Sequence, residues 1–183
     1  QVSENRGVFG YGAYTREAFH LNKGAAVGPS FWLGSNFRTS WENISEQDDG
    51  KWHHWMLFSD VSDPTGAKLY VDGNLIAINS SATGGSLQNH MNDGLVIGAC
   101  DTGTSTNEHA DCSITNFAVF SGDATSRAVS HYNNGIPNKD LSKEDDLVGY
   151  WKMSEGKGTI VEDASGNGNE GVFDSSDNPG WIT

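Results

Sequence analysis

The sequence contains few proline residues and few positively charged residues, and the shortage of positive charge limits the partners that the chain is expected to bind. Only 4 of the 183 residues are proline, whereas 23 are glycine. The 11 Lys and Arg residues are outnumbered by 24 Asp and Glu residues, which leaves a formal net charge of −13. A field of that sign repels nucleic-acid phosphates and anionic lipid headgroups, so neither is an expected partner.

Long apolar runs are missing as well. No stretch approaches the roughly 18 apolar residues that indicate a membrane-spanning helix, and membrane insertion is not expected. The chain begins neither with Met nor with a signal peptide, so we interpret Gln1 as the start of a processed or excised piece.

Cysteine is almost absent, and the two cysteines that occur have two possible interpretations. Cys100 and Cys112 flank a polar loop of 11 residues between two strand-like runs. A disulfide between them would stabilise the fold by about 3 kcal/mol in the chain-entropy model and would indicate an oxidising compartment. Two buried thiols are the alternative.

Short apolar runs separated by glycine-rich turns predict an all-β fold. Alternation of Phe9, Tyr11 and Ala13 predicts one long strand or a tight pair over 7–23. A strand rich in aromatic residues is predicted at 51–60, a turn at 61–66, and a hairpin at Asp72-Gly73. Further strands are predicted at 30–34, 37–44, 95–100, 112–120 and 147–153, a polar loop at 101–111, and one helix, capped by Thr125 or Ser126 and stopped by Asn134-Gly135, at 125–134.

Three stretches together resemble laminin G-like domains of the concanavalin A-like kind. They read GKWHHWMLFSD with TGAKLYVDGNLI, then ITNFAVFSGDATSRAVSHYNNG, then LVGYWKMSEGKGTIVEDASGNGNEG, and cover about residues 50–172. The resemblance implies a single domain over 1–183, an antiparallel two-sheet β-sandwich (jelly roll) with one short helix. In many relatives the third stretch opens the domain, whereas here it closes the chain. We therefore expect either a natural ending of this kind or a domain that lacks an N-terminal strand, completed by a neighbouring chain.

The same resemblance implies a binding function outside the cell. Such domains bind glycans or proteins through rim loops, often with Ca²⁺, on secreted, cell-surface or virion-surface proteins. Because one fold hosts many functions, three hypotheses remain: a non-catalytic lectin-like module, a structural component of a virion or filament that assembles through an exposed edge strand, and a glycoside hydrolase. The absence of a helper carboxylate between Glu42 and Glu46, where Ile44 stands, argues against an enzyme.

Carbohydrate binding needs an aromatic platform beside polar groups. The candidate ligand-binding residues, expected to line one sheet face unless they pack in the core, are Trp32, Trp41, Tyr11 and Tyr14. Three other tryptophans are assigned to the core: Trp52, Trp55 and Trp151. The adjacent His53 and His54 are expected to pack and hydrogen-bond within the sandwich.

Acidic loops supply the oxygen ligands that Ca²⁺ prefers. The candidate metal ligands are Asp60 and Asp63 in one loop, and Asp101 and Asp111 in another. Asp163 and Asn167 form a third suitable loop, although DASGNG is also typical of an Asx turn. Turn formation is the alternative for each of these acids.

Overall fold

The computed structural model describes most of the second half of the chain and selected parts of the first. The described residues are 4–11, 17–23, 30–33, 37–40, 49–60, 63–76, 94–101, 106–110, 112–137, 139–173 and 180–181. Contacts divide the chain into two compact units. The N-terminal unit comprises Gln1–Val71 and Leu75–Cys112, and the C-terminal unit comprises Asp72–Asn74 and Ser113–Thr183.

The described residues form fourteen strands and one short α-helix. In chain order these are β1 (Glu4–Tyr11), β2 (Glu17–Lys23), β3 (Ser30–Leu33), β4 (Phe37–Ser40), β5 (Trp55–Asp60), β6 (Asp63–Val71), β7 (Asn74–Ile76), β8 (Leu95–Ile97), β9 (Ala99–Asp101), β10 (Thr106–His109), β11 (Phe117–Phe120), α1 (Ala128–Tyr132), β12 (Leu147–Trp151), β13 (Ile160–Val161) and β14 (Gly171–Val172). All strand pairs are antiparallel except a short parallel contact of β1 with β10. The prediction of an antiparallel all-β class with one short helix is confirmed.

The larger sheet of the N-terminal unit contains seven strands. Its order is β4-β3-β2-β1-β10-β9, and β8 also pairs with β1. For the run 7–23 the sequence predicted either one long strand or a tight pair. The structure has a pair, because β1 and β2 are antiparallel neighbours. Gly98, at φ +88°, divides the predicted strand 95–100 into β8 and β9. Part of the predicted loop 101–111 is a strand, because β10 pairs with β9.

Strands β5, β6 and β7 form a separate three-stranded sheet. The hairpin at Asp72-Gly73 is confirmed, since both residues have positive φ (52° and 76°). Strict alternation along β6 buries Ala67, Leu69 and Val71, as period-two patterning requires. The predicted turn 61–66 is wrong in part, because β6 already begins at Asp63.

The C-terminal unit is built around the antiparallel pair β11–β12. Tyr150 is fully buried at its centre, and the tyrosine hydroxyl lies 2.7 Å from Asn116 Oδ1 and 2.9 Å from the Lys139 carbonyl oxygen. The single hydroxyl hydrogen can be donated to either of these acceptors, which satisfies the one polar atom of a large buried side chain.

The predicted helix 125–134 is observed as a 3-10 turn at Thr125–Arg127 followed by α1. It ends in left-handed residues, Asn133 and Asn134, as the Asn-Gly signal predicts. The predicted cap is wrong: Asp123 Oδ1, at 2.8 Å, accepts a hydrogen bond from the Thr125 N–H. An aspartate two residues before an N–H satisfies it just as a capping hydroxyl would.

Candidate functional site

A tight turn at Asp49–His53 leads into strand β5. Asp49 Oδ1 accepts a hydrogen bond of 2.9 Å from the Lys51 N–H, two residues on, which is the geometry of an Asx turn. Gly50 has φ +76°, and a Cβ there would meet no other atom within 4 Å. Glycine is therefore required by the backbone conformation and not by lack of space.

The Asp49 carboxylate gathers two further side chains. Lys51 Nζ donates to Asp49 Oδ2 at 2.7 Å, and His53 Nε2 lies 3.0 Å from Asp49 Oδ1. Because an ionised carboxylate only accepts hydrogen bonds, the imidazole hydrogen is on Nε2. The hydrogen bonds from Lys51 and then His53 hold the pKa of Asp49 well below its usual value, so this carboxylate stays ionised at neutral pH.

Trp52 lies on the surface between Lys51 and His53. Its exposed fraction is 47%, which corrects its assignment to the core. That assignment extended the alternation of the strand back to residue 51, but β5 begins only at Trp55, so period-two logic does not apply to Trp52. The other two assignments fit better, since Trp151 is buried and Trp55 is half-buried.

The Asp49–His53 turn leaves two charged side chains accessible to solvent. The side chain of Asp49 is 31% exposed and that of Lys51 is 75% exposed. Among the described residues, Asp49 Oδ2 receives one hydrogen bond of the two it can accept, and Lys51 Nζ donates one of its three. Within four residues the turn thus presents an acceptor (Asp49), a donor (Lys51) and an exposed aromatic side chain (Trp52). Sequence analysis did not predict this turn, although the Asp-Gly pair before Lys51-Trp52 is a turn signal that could have indicated it.

A second charged cluster, in the C-terminal unit, is paired internally. Arg127 Nη1 donates to Glu144 Oε2 at 2.9 Å, and Nη2 donates to Asp146 Oδ1 at 3.0 Å. The guanidinium lies 4.8 Å from the centre of the Phe120 ring, and the ring of His131 stacks on Phe120 at 5.6 Å. Burial lowers the pKa of His131, although Glu144 Oε1 at 3.5 Å from Nε2 opposes that shift. The cluster ties α1 to the segment before β12.

Asp163 organises the loop that was the third calcium candidate. Its Oδ1 accepts hydrogen bonds from the N–H groups of Tyr150 (3.0 Å) and Ser165 (2.9 Å), and its Oδ2 accepts one from the Asn169 N–H (2.9 Å). Burial disfavours the charge, but hydrogen bonds from Ser165, Tyr150 and Asn169 outweigh it and lower the pKa of Asp163 to about 2. Both oxygens of the Asp163 carboxylate accept hydrogen bonds from backbone N–H groups, which favours the Asx-turn interpretation over calcium binding.

The same loop covers one side of strand β12. Asn167 Nδ2 donates to the carbonyl oxygens of Leu147 (2.9 Å) and Val148 (3.0 Å), and Asn169 Nδ2 also donates to that of Val148 (3.0 Å). The Asn169 carbonyl accepts a 2.7 Å hydrogen bond from Trp151 Nε1. Side chains therefore satisfy backbone carbonyls that an adjacent strand would otherwise bind. Completion of the domain by a strand of a neighbouring chain stays a prediction. We do not expect that strand to pair with this side of β12, because the carbonyls there already accept hydrogen bonds from side chains.

The predicted aromatic platform is only partly within the described residues. Tyr11 and Trp32 are described by their backbones: Tyr11 is opposite Glu17, whereas Trp32 is opposite Ala18. Their backbones occupy neighbouring rows of the sheet. Tyr14 and Trp41 lie outside the described residues. A role of these four residues in ligand binding stays a prediction.

The predicted calcium ligands have one observed relationship. Asp60 and Asp63 are backbone partners where β5 meets β6, and a role of either residue in Ca²⁺ binding stays a prediction. Asp101 ends β9, and Asp111 lies outside the described residues, as do Glu42 and Glu46. Within the described part of the chain, no group of three or more His, Cys, Asp or Glu side chains is arranged to hold a metal.

The predicted disulfide is left open. Cys112 is exposed, and no disulfide is found among the side chains that the structure describes. Cys100 is described by its backbone alone, opposite Glu108 in the β9–β10 pair. The bond therefore stays a prediction.

Among the described residues, the strand pairing and the one short α-helix are those of an antiparallel β-protein. None of the helices in the described ranges is long and apolar enough to cross a bilayer. The chain belongs to the concanavalin A-like lectin/glucanases superfamily, whose family profile matches residues 2–130. This membership supports a β-sandwich jelly roll of the laminin G-like type and a module that binds carbohydrate or protein. Comparison with curated proteins and with solved structures gave no match.

The family profile and the resemblance found in the sequence analysis overlap only in part. They share residues 50–130, which include the Asp49–His53 turn apart from its first residue. The match also takes in β1 to β4, which the resemblance did not use, and it ends before the loop organised by Asp163. The candidate site thus lies within the part of the chain that defines the family.

Proposed function

We propose that this protein is a non-catalytic carbohydrate-binding module that uses Trp52 as its aromatic platform. The observation that carries the proposal is the 47% exposure of Trp52 beside the hydrogen-bonded side chains of Asp49 and Lys51. Large aromatic side chains gain free energy when they are covered, and an exposed one next to polar groups is suited to the mixed apolar and polar surface of a sugar.

Family membership supports the binding class, and the chemistry of the turn supports binding over catalysis. Hydrolysis of a glycosidic bond needs two carboxyl groups on either side of the bond, one of them a proton donor. The turn contains the single carboxylate of Asp49, whose lowered pKa keeps it ionised and unable to donate a proton at neutral pH.

Calcium and an extracellular location belong to the same proposal. Asp60 and Asp63, opposite each other in register, are the residues that would hold Ca²⁺, which would supply a positive charge to fix the hairpin end. The net charge of −13 and the family both suit a secreted or surface-displayed protein.

A glycan array tests the proposal. The wild-type chain is expected to bind a subset of glycans, and Trp52→Ala is expected to weaken that binding by at least about tenfold, which corresponds to 1.4 kcal/mol. Trp52→Phe keeps an aromatic face and should retain most of the binding. Leu75→Ala, which also removes an exposed apolar side chain (55% exposed), serves as the matched control.

Running the array with and without a chelator separates the two parts of the proposal. Binding that is lost with the chelator supports calcium, whereas binding that persists restricts the proposal to the aromatic platform. Silence of the wild-type chain on all glycans under both conditions would refute the carbohydrate function and leave a protein ligand.

A further inference from the structure

The Asp49–His53 turn places an obligate acceptor next to an obligate donor. The Asp49 carboxylate is ionised and can only accept hydrogen bonds, whereas the Lys51 ammonium can only donate them. The two groups are 2.7 Å apart, and both side chains reach solvent. A ligand that satisfies both must therefore offer a donor and an acceptor on neighbouring atoms.

Two adjacent hydroxyl groups of a sugar meet this requirement. One hydroxyl donates to Asp49 Oδ2, and its neighbour accepts from Lys51 Nζ. Trp52 follows Lys51 directly in the chain, so their Cα atoms are about 3.8 Å apart, and the Trp52 side chain is 47% exposed. A carboxylate or sulfate group, in contrast, can accept from Lys51 but has no hydrogen to donate to Asp49.

Local charge leads to the same class of ligand. Asp49 and Lys51 cancel each other as an ion pair, and the chain as a whole carries −13. An anionic group that approaches Lys51 meets the Asp49 carboxylate at a similar distance, so attraction and repulsion nearly offset each other. The turn gives no net advantage to a charged ligand.

We infer that the ligand is a neutral pyranose whose apolar face lies on Trp52 and whose vicinal diol bridges Asp49 Oδ2 and Lys51 Nζ. This inference rests on the proposed carbohydrate-binding function and adds the ligand class and the role of each side chain. It also explains why the positive-φ glycine matters, since Gly50 sets the Asx turn that holds Asp49 and Lys51 together.

Titration of the full chain with methyl pyranosides by NMR tests the inference. The probes are neutral methyl glycosides that differ in ring configuration, their monodeoxy analogues and the corresponding uronic acids. Removal of either hydroxyl of the bridging pair is expected to weaken binding about tenfold. The uronic acids are expected to bind no more tightly than the neutral sugars.

Two variants assign the hydroxyls to their protein partners. Lys51→Met keeps the length of the side chain without the ammonium, and Asp49→Asn keeps the Asx turn without the charge. Each is expected to weaken the parent glycoside about tenfold and to be insensitive, within twofold, to loss of the hydroxyl that its missing group would have bound. Leu75→Ala is the control, and a thermal melt of each variant verifies folding.

The outcomes separate this inference from the proposed function. If Trp52→Ala loses binding but Lys51→Met and Asp49→Asn do not, the aromatic platform stands and the diol bridge is wrong. Tighter binding of uronic acids overturns the diol bridge as well. If all three variants bind as the wild type does, the sugar binds elsewhere and both proposals fail at this turn.

Discussion

Asp49 and Asp163 use the same local chemistry for different ends. In each case Oδ1 accepts a 2.9 Å hydrogen bond from the N–H two residues on, Lys51 in one turn and Ser165 in the other. Asp163 also accepts from the N–H groups of Asn169, six residues further along the same loop, and of Tyr150 in strand β12. Asp49 instead accepts from Lys51 Nζ, a long side chain that reaches solvent.

The difference shows what separates a structural acid from one that is available for binding. Backbone N–H groups are fixed in place, so an acid that satisfies three of them is part of the architecture. A lysine side chain can turn away from its partner at little cost, because exposed ion pairs contribute little to stability. Asp49 and Asp163 are thus the same type of acid in the same type of turn. Whether each one has a structural role or is available for binding depends on whether its hydrogen-bond donors are backbone N–H groups or a mobile side chain.

The largest effect is expected from removal of the Asp163 carboxylate. Asp163→Ala leaves three backbone N–H groups without their acceptor, and we expect a loss of about 3 kcal/mol in the free energy of unfolding. Urea denaturation followed by tryptophan fluorescence measures it. Asp145→Ala, at an exposed acid of the same unit, is the control. A loss below about 1 kcal/mol would show that Asp163, like Asp49, contributes little to stability, and would contradict the structural role assigned to it.

Acid pH should reproduce part of that effect without a mutation. The pKa of Asp163 in the folded chain is about 2, below the ordinary 3.8, so the unfolded chain takes up the proton first. The stabilisation is present above pH 3.8 and is lost as the pH falls through 2; it amounts to about 2 kcal/mol. Denaturation between pH 5 and pH 2 measures it.

A matched pair of variants identifies the responsible carboxylate. Asp163→Asn should remove most of this pH dependence. Asp140→Asn should retain it, because Asp140 also has a pKa lowered to about 2 but a side chain that is 60% exposed. Equal effects of the two variants would show that the loss of stability at acid pH does not depend specifically on the Asp163 carboxylate.

A smaller loss is expected at Asn167. Asn167→Ala removes the donor to the Leu147 and Val148 carbonyls, and because water can replace it at an exposed position, the cost should be about 1 kcal/mol. The same denaturation measures it. Asn167→Asp, which exchanges the donor for an acceptor facing two carbonyls, should be no more stable than Asn167→Ala. A more stable Asn167→Asp would contradict the hydrogen-bond assignment.

The smallest effect on stability is expected at Asp49. Asp49→Asn keeps an oxygen that can accept from the Lys51 N–H and loses an exposed ion pair, so the midpoint of denaturation should match that of the wild type. Carbohydrate binding should nevertheless weaken. A marked fall in stability would indicate that Asp49, like Asp163, holds its turn for structural reasons.

Local turn chemistry is what the sequence made predictable. Asp72-Gly73 predicted the β6–β7 hairpin correctly, because a positive φ at both positions is a property of that dipeptide. DASGNG likewise predicted the Asx turn at Asp163. The hydrogen bond from the Tyr150 N–H could not be predicted, because Tyr150 belongs to strand β12 and meets Asp163 only in the folded chain.

Trp52 shows where pattern-based prediction fails. A run of aromatic and apolar residues after Lys51 predicted one continuous strand with a buried tryptophan, but the ladder with β6 starts at Trp55. Periodicity gives the faces of a strand only once its first residue is known. The candidate site therefore came from the exposure of one side chain, whereas the fold class came from the overall pattern.

The amide groups of Asn167 and Asn169 give strand β12 a further property. A strand with unpaired carbonyls can serve as a template for the addition of other chains, which is how cross-β deposits grow. Here short side chains of the same molecule occupy those carbonyls, so β12 is protected from such growth on that side. At high protein concentration this arrangement limits association through β12 without any added charge.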